Sequence, residues 1–482
     1  MSQHEQSFEH APTPSSTSSH STGSTPPSGS RHHWVLWNKK VVSWALWDWG
    51  SAAFNAVATT FVFSVYLTTD GVFAPKVVAN ENLSLGLTLA GIVIALLAPI
   101  TGQRADRRGK GGVWLGWFTA MVVLCMLAMF FVAPNSSLGP TGALWLGIGL
   151  LGLGNVFFEF ASVNYNAMLN HLADKSAMGR ISGFGWGLGY VGGIVLLLIL
   201  FVGFINPEVG WFGVTGENGL NIRVAMVVSA IWFAVFSLPV VLNPPKPKNV
   251  STSDTHESLI DSYKLLWSTV KSLARTSRHT LMFLIASAVF RDGLAGVFTF
   301  GAILAGSVFG FSASEVILFA IAANVVAGLA TIGFGALDDW IGPKRVIILS
   351  LVCMVTSGLL VFFFHSVGKS IFWVLGLILC VFVGPAQSAS RSFLARMIPA
   401  GREGEVFGLY ATTGRAVSFL SPALYYLAIK LGRAVTPPDV DATYWGILGI
   451  VVVLLAGLLL LIPIRQESAH LNIYQDSTPS QG

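Results

Sequence analysis

Charge is scarce in this chain. Only 11% of its 482 residues are Asp, Glu, Lys or Arg, against about 25% in soluble domains, so water is not its main solvent. Cysteine is scarcer still: Cys125, Cys353 and Cys380 are the full set. All three fall in apolar runs, where cysteine acts as a small buried group, and they offer neither a disulfide framework nor metal-ligand spacing. Residues 1–30 lack an apolar signal-peptide core, so the first apolar run is expected to stay in the membrane. No G-x-x-x-x-G-K-[ST] phosphate loop appears, which argues against direct ATP hydrolysis. No nucleophile–base pair or metal constellation appears either, so neither an enzyme nor a cofactor is expected.

Apolar residues make up 53% of the chain. They gather in runs long enough for a hydrocarbon core ~30 Å thick, which takes roughly 20 residues of helix. Twelve spans are read: 42–67, 85–101, 113–132, 143–169, 181–205, 222–242, 280–306, 313–335, 346–364, 371–395, 405–429 and 443–464. They are too long and too uniformly apolar for barrel strands, and helices satisfy every backbone polar group internally. The fold class is therefore an all-α membrane protein.

The net charge of +5 does not indicate nucleic acid; its distribution explains it. Of 28 Lys and Arg, only Lys76, Arg223, Lys369, Lys430 and Arg433 fall on one side, while Arg291, Arg391 and Arg415 fall inside spans. The rest collect on the other side, and this bias predicts that both termini are cytoplasmic.

Residues 1–34 form a Ser/Thr/Pro-rich tail that is expected to be disordered; 465–482 form a second cytoplasmic tail. The stretch 243–279 splits the spans six and six, giving bundles over 42–242 and 280–464. Within it Leu259, Ile260, Tyr263, Leu266, Trp267, Val270 and Leu273 share one helical face. With Lys264, Lys271 and Arg275 nearby, the segment reads either as a helix along the membrane surface or as a helix packed on the loops.

An internal repeat is visible. Gly102, Asp106 and Gly109 follow the second span, and Gly335, Asp339 and Gly342 follow the eighth at one common offset. A six-helix unit has been duplicated, as in transporters whose halves are related by an axis along the membrane normal. The glycines permit tight turns and close helix approach. The carboxylate is suited to pairing with loop arginines or to a neighbouring helix N-terminus, a contact that forms in one conformation and breaks in another.

Ionisable residues inside spans carry the candidate chemistry. They are Asp48, Glu159, Arg291, Asp292, Arg391 and Arg415. A charge at the bilayer centre costs at least ~2.5–3.5 kcal/mol, so such groups face a protein interior or a wet cavity. Asp48, Glu159, Asp292 and Arg391, with Gln387 and Trp47, are candidates for substrate contact, proton coupling or gating. The competing reading is buried salt bridges that fix helix positions, with Arg415 snorkelling or paired. Asp48-Trp-Gly-Ser-Ala-Ala-Phe and Asp292-Gly-Leu-Ala-Gly-Val-Phe place the two carboxylates at matching points of the halves. Trp44, Trp47, Trp49 and Phe54 around Asp48 read as membrane-interface aromatics or as residues flanking a substrate. The glycine-rich fifth span matches G-x-G-x-x-G literally at Gly187, Gly189 and Gly192 but lacks the βαβ context of a nucleotide site. Gly185, Gly189 and Gly193 are read instead as a tight helix-packing stripe, a candidate sliding surface.

Two resemblances follow. The loop pattern G-x-x-x-D-x-x-G-[RK] resembles the signature of the major facilitator superfamily. That implies twelve helices in two pseudo-symmetric six-helix bundles, with helices one, four, seven and ten lining a central cavity. More narrowly, Trp44-Ala-Leu-Trp-Asp48-Trp-Gly-Ser-Ala-Ala-Phe54 resembles the opening motif of the autophagy-related vacuolar amino-acid effluxers and their bacterial relatives. So do Ile181-Ser-Gly-Phe-Gly-Trp-Gly-Leu-Gly-Tyr190, Arg291-Asp292-Gly293, and Gln387-Ser-Ala-Ser-Arg391-Ser with Ile398–Tyr410. Trp47 stands where Tyr is usual, Gly50-Ser51 replace Ala-Asn, and Arg291 replaces Asn, which sets a cation beside Asp292. The resemblance implies a secondary transporter of a small solute such as an amino acid, with protons as a candidate coupling ion. Export of hydrophobic drugs or metabolites, and a non-transporting receptor or scaffold, are the alternatives. The compact loops fit a bacterial plasma membrane; a eukaryotic source would imply the vacuole.

Overall fold

The structure, a computed structural model, describes Leu36 and residues 38–69, 71–172, 175–245, 259–311, 313–398, 402–437 and 442–465. The tails 1–34 and 466–482, linker residues 246–258 and the Asp106 side chain lie outside that description.

The apolar runs become helices. The N-terminal half holds α1 (Lys39–Thr68), α2 (Lys76–Arg107), α3 (Gly111–Ala128), α4 (Gly139–Ala167), α5 (Met178–Leu200) and α6 (Leu220–Leu242). The polar connection supplies α7 (Leu259–Thr276). The C-terminal half holds α8 (Arg278–Ser307), α9 (Ala313–Ile341), α10 (Pro343–Phe363), α11 (Leu377–Met397), α12 (Glu403–Val417), α13 (Leu420–Val435) and α14 (Gly446–Leu461). Eleven of the described helices are long and apolar enough to cross a membrane. The twelfth crossing differs from the single span read at 405–429. It is built from α12 and α13, which meet at Ser418 and Phe419, so neither piece spans alone. Among the described residues the only β pairing is the bridge Val209↔Thr215.

Local irregularities fall where partners compensate for them. In α1 the backbone widens into π turns over Ala53–Phe61, and the Thr59 and Thr60 hydroxyls both donate to Asn55 O, at 2.5 and 2.7 Å. Wide turns of this kind are common at functional sites. Pro99 interrupts α2. It has no N–H to give the Ala95 carbonyl four residues back. That carbonyl instead accepts from Thr412 Oγ1 of α12, at 3.0 Å.

The halves approach most closely through two helix pairs, α2 with α12 and α5 with α9. Glycine makes each approach possible. A Cβ on Gly102 would lie 1.9 Å from Gly404 O, and one on Gly408 would lie 2.5 Å from Pro99 Cα. In the matching pair, a Cβ on Gly335 would lie 2.8 Å from Gly179 O, and one on Gly183 would lie 2.6 Å from Thr331 O. The internal repeat is thus realised as pseudo-symmetric backbone contact, with Gly102 and Gly335 in equivalent places.

The predicted packing stripe lies against a helix of its own bundle. Gly185, Gly189 and Gly193 face α1 inside their own bundle, against Trp44 and Asp48, the Asp48 backbone, and Ala52 with Ala56. The opposite face of α5, at Gly179, Gly183 and Gly187, meets the other bundle. Two stripes fit one helix because glycines alternate along it; only the second lies between the bundles.

Candidate functional site

Asp48 lies on α1 near the end at which α2 finishes and α12 begins. Gly185 leaves room for it, since a Cβ there would sit 2.9 Å from Asp48 Oδ2. That oxygen accepts from Tyr165 Oη at 2.8 Å and from Arg391 Nη1 at 3.3 Å. Arg391 reaches across from α11 and is itself buried. Its Nε donates to Ser182 Oγ at 2.9 Å, its Nη2 to Ser182 O at 2.7 Å, and its Nη1 also to Asn166 Oδ1 at 3.3 Å. The guanidinium carbon stands 4.9 Å from the Trp44 ring centroid and 5.6 Å from that of Trp186. A buried cation is tolerable only when paired and hydrogen-bonded, and here one carboxylate, a backbone carbonyl and two polar side chains meet that need.

The aromatics expected at a lipid interface are instead the wall of this group. Trp44 and Trp47 are fully buried and both stack on Tyr165, with centroids 4.5 and 4.3 Å away. Trp44 Nε1 donates to Tyr165 O, and Trp47 Nε1 to Thr119 Oγ1. In this conformation Trp47 positions Tyr165 from within the N-terminal bundle and has no open face for a solute.

A second link crosses between α4 and α12. Arg415 Nη2 donates to Asn155 Oδ1 at 3.1 Å and to Glu159 Oε2 at 3.3 Å. It differs from the first in accessibility. The side chains of Arg415 and Glu159 are 36% and 20% exposed, against 4% and 16% for Arg391 and Asp48. Charged groups within apolar spans avoid lipid, and this pair is the more accessible of the two links.

A third cluster joins α9, α11 and the start of α5. Asp339 accepts from the Gly179 and Arg180 backbone N–H groups at 2.8 and 3.1 Å, so it sits on the positive end of the α5 dipole. Arg396 Nη2 bridges Asp338 and Asp339 at 2.9 and 2.8 Å, and Ser392 Oγ donates to Asp338. On the pseudo-symmetric side Gln103 Nε2 donates to Glu405 Oε1 at 3.0 Å. Of these, the Asp339 contacts with α5 and the Gln103–Glu405 contact cross between the bundles, toward one end of the helices.

Asp292 belongs to none of these clusters. Its Oδ2 accepts from Ser421 N at 2.6 Å, and Ser421 Oγ donates to Asp292 O at 2.9 Å. The carboxylate caps the freshly started α13, within its own bundle. Arg291 does not neutralise it: the guanidinium lies 3.8 Å from the Tyr410 ring centroid, and its Nη1 donates to Tyr410 O.

The family described as "Vacuole effluxer Atg22 like" matches residues 83–467. The chain belongs to this family. The uncharacterized MFS-type transporter YxiO of Bacillus subtilis is 24% identical over 89% of this chain and 96% of its own length. Autophagy-related protein 22 of Yarrowia lipolytica is 26% identical over 54% of this chain. That match spans 47% of the fungal protein, so the chain covers about half of such relatives. Among solved structures, the proton:xylose symporter XylE of the major facilitator superfamily aligns with a TM-score of 0.65 at 12% identity, over 90% of this chain and 95% of its own. A bacterial homologue of the iron transporter ferroportin in an outward-facing state aligns at 0.63 and 14%, over 88% and 98%. At such identities they show the fold alone, that of the major facilitator transporters.

In this Atg22-like chain the sequence candidates therefore separate. Asp48 and Arg391 are brought together, and Glu159 meets Arg415. Asp292 stands apart. Gln387, one turn before Arg391, is half-buried and has no hydrogen-bond partner among the described residues. The reading missed Tyr165, Asn166, Ser182 and Asn155. A signal was present: Asn164-Tyr-Asn166 is a polar triplet inside an apolar span, and Asn155 precedes Glu159 by one turn. An apolar cavity inside the C-terminal bundle, bordered by Val297, Phe319, Phe372, Cys380 and Leu454, shares no residue with these groups.

Proposed function

We propose that this major facilitator protein is a secondary active transporter that moves an amino acid by alternating access. The partly accessible Arg415–Glu159–Asn155 group, set between the bundles above a sealed end, carries the reading. Arg415 spends only Nη2 on its protein partners, leaving Nε and Nη1 for a solute carboxylate, and guanidinium geometry favours such a pair. Glu159 and the Asn155 amide oxygen suit an ammonium group. Asp48 and Arg391 act as the gate below, with Asp339 and the Gln103–Glu405 pair beside them. The glycine contacts at Gly102, Gly335 and Gly183 let that gate close and part as rigid faces.

With both termini cytoplasmic the sealed end faces the cytoplasm and the recess opens outward. The bundles occupy 42–242 and 280–464, in the plasma membrane of a bacterium or the vacuolar membrane of a eukaryote. Proton coupling places Asp48, Glu159 and Asp292 as candidate carriers. The drug-export alternative draws on the aromatic-rich first helix, where Trp44 and Trp47 are buried in this conformation.

Radiolabelled L-leucine uptake into proteoliposomes, with and without an imposed pH gradient, tests the proposal. Saturable uptake that Arg415→Ala abolishes is expected. Absence of uptake for a panel of amino acids sinks the substrate assignment, and equal rates with and without the gradient sink proton coupling.

A further inference from the structure

The helix α7 presents two faces. Ser262 and Leu273 are buried, with Leu266 and Val270 half-buried beside them. The face read from sequence as one apolar stripe is therefore divided. Ile260 and Trp267 point outward at 66% and 72% exposure. Lys264, Lys271, Ala274 and Arg275 are exposed with them at helical spacing.

The position of α7 is tied to both bundles. It runs into α8 through Ser277 alone. It also touches α2: Tyr263 Oη donates to Leu96 O at 3.0 Å, and Arg104 Nε donates to Ser262 Oγ at 3.2 Å. Leu96 is itself exposed, as are Ile92 and Val93 on the same apolar helix, so the contact sits at the edge of the bilayer-facing surface. Gly102, whose backbone approach to Gly404 closes the gate, lies between Leu96 and Arg104.

We propose that the outer face of α7 docks onto the anionic headgroup layer of the membrane, and that this docking clamps α2 and so favours the closed gate. Trp and Ile beside lysines are the composition of a helix lying in the interface, with apolar side chains in the acyl boundary and cations among anionic headgroups. Each basic residue near such a surface adds to the attraction. Tyr263, itself exposed, holds α7 against the exposed Leu96 of α2, which sets its depth.

The full chain tests this in vesicles of phosphatidylcholine alone or mixed with phosphatidylglycerol. A spin label at Ala274→Cys, in a background with the native cysteines replaced, reports depth through collision with oxygen against a nickel chelate. Oxygen access is expected to dominate in the mixed vesicles, and the K264Q/K271Q/R275Q variant is expected to lose that preference. Nickel access equal to that of a label at Glu208→Cys, in both lipids, overturns the docking. Labels at Arg108→Cys and Arg345→Cys then report the gate. A larger short-distance population with phosphatidylglycerol, lost in the triple variant, is expected. Identical distance distributions in both lipids overturn the clamp. These readouts need no solute, so they stand or fall apart from the transport assignment.

Discussion

Asp48 and Asp292 stand one in each half, each opening a similar run of small and apolar residues. Their surroundings have diverged. Asp48 reaches across the interface to Arg391 and shares its oxygen with Tyr165. Asp292 stays inside its bundle and caps a helix that starts again after Phe419. Similar sequence context did not bring similar chemistry, because each carboxylate's partners lie far away in the chain. One carboxylate holds two bodies together; the other repairs a broken crossing.

The comparison predicts unequal damage. Arg391→Ala strands a buried carboxylate together with Ser182 and Asn166, and is expected to cost on the order of 3–5 kcal/mol of closed-state stability. Thermal unfolding in detergent and the Arg108–Arg345 label distance both report it. In the cycle with Asp48→Ala the double variant is expected to lose less than the sum of the singles; strict additivity breaks the pairing. Thr412→Val orphans the Ala95 carbonyl freed by Pro99. It should shift the gate toward open by about 1–3 kcal/mol, and Thr412→Ser should restore closure. Asp292→Ala removes a cap, for which about 0.5–2 kcal/mol is typical. Its effect should appear as lowered thermal stability with an unchanged label distance, whereas a changed distance would place Asp292 in the gate. Glu159→Gln leaves a partly solvated pair, for which about 0–1 kcal/mol of stability is at stake. Its main expected effect is a raised KM for solute uptake. An unchanged KM removes Glu159 from the binding site.

A sharper test sets two glycines of one helix against each other. Gly183→Ala collides with the Thr331 backbone oxygen, which cannot give way, so it should hold the bundles apart while each stays folded. Gly192→Ala meets the Trp49 backbone oxygen of α1, inside the N-terminal bundle, and should lower thermal stability without parting the bundles. The label distance and the unfolding temperature together separate these outcomes.

Much of this was legible in the chain alone. Roughly 20-residue apolar runs permit only helices in lipid, so the spans and their membrane setting followed from composition. The repeated Gly102/Gly335 and Asp106/Asp339 spacing exposed the duplication, and the opening Trp44–Phe54 motif pointed to the family. Ionisable residues in apolar runs are conspicuous by their cost, which is why Asp48, Glu159, Asp292 and Arg391 stood out. The break between α12 and α13 was not read, although Ser421-Pro422, in the first turn of α13, is a helix-start signal.

By itself, then, the sequence determined the solvent, the secondary structure, the two-fold internal repeat and the short roster of costly charges. Each of these is a property of residues near one another in the chain, set by hydrophobic transfer and helix period. Only the tertiary structure decided which charge meets which, which glycine face of α5 meets the other bundle, and which tryptophans are buried. Those are relations between residues hundreds of positions apart, fixed by how helices approach in space, and nothing local to either partner encodes them.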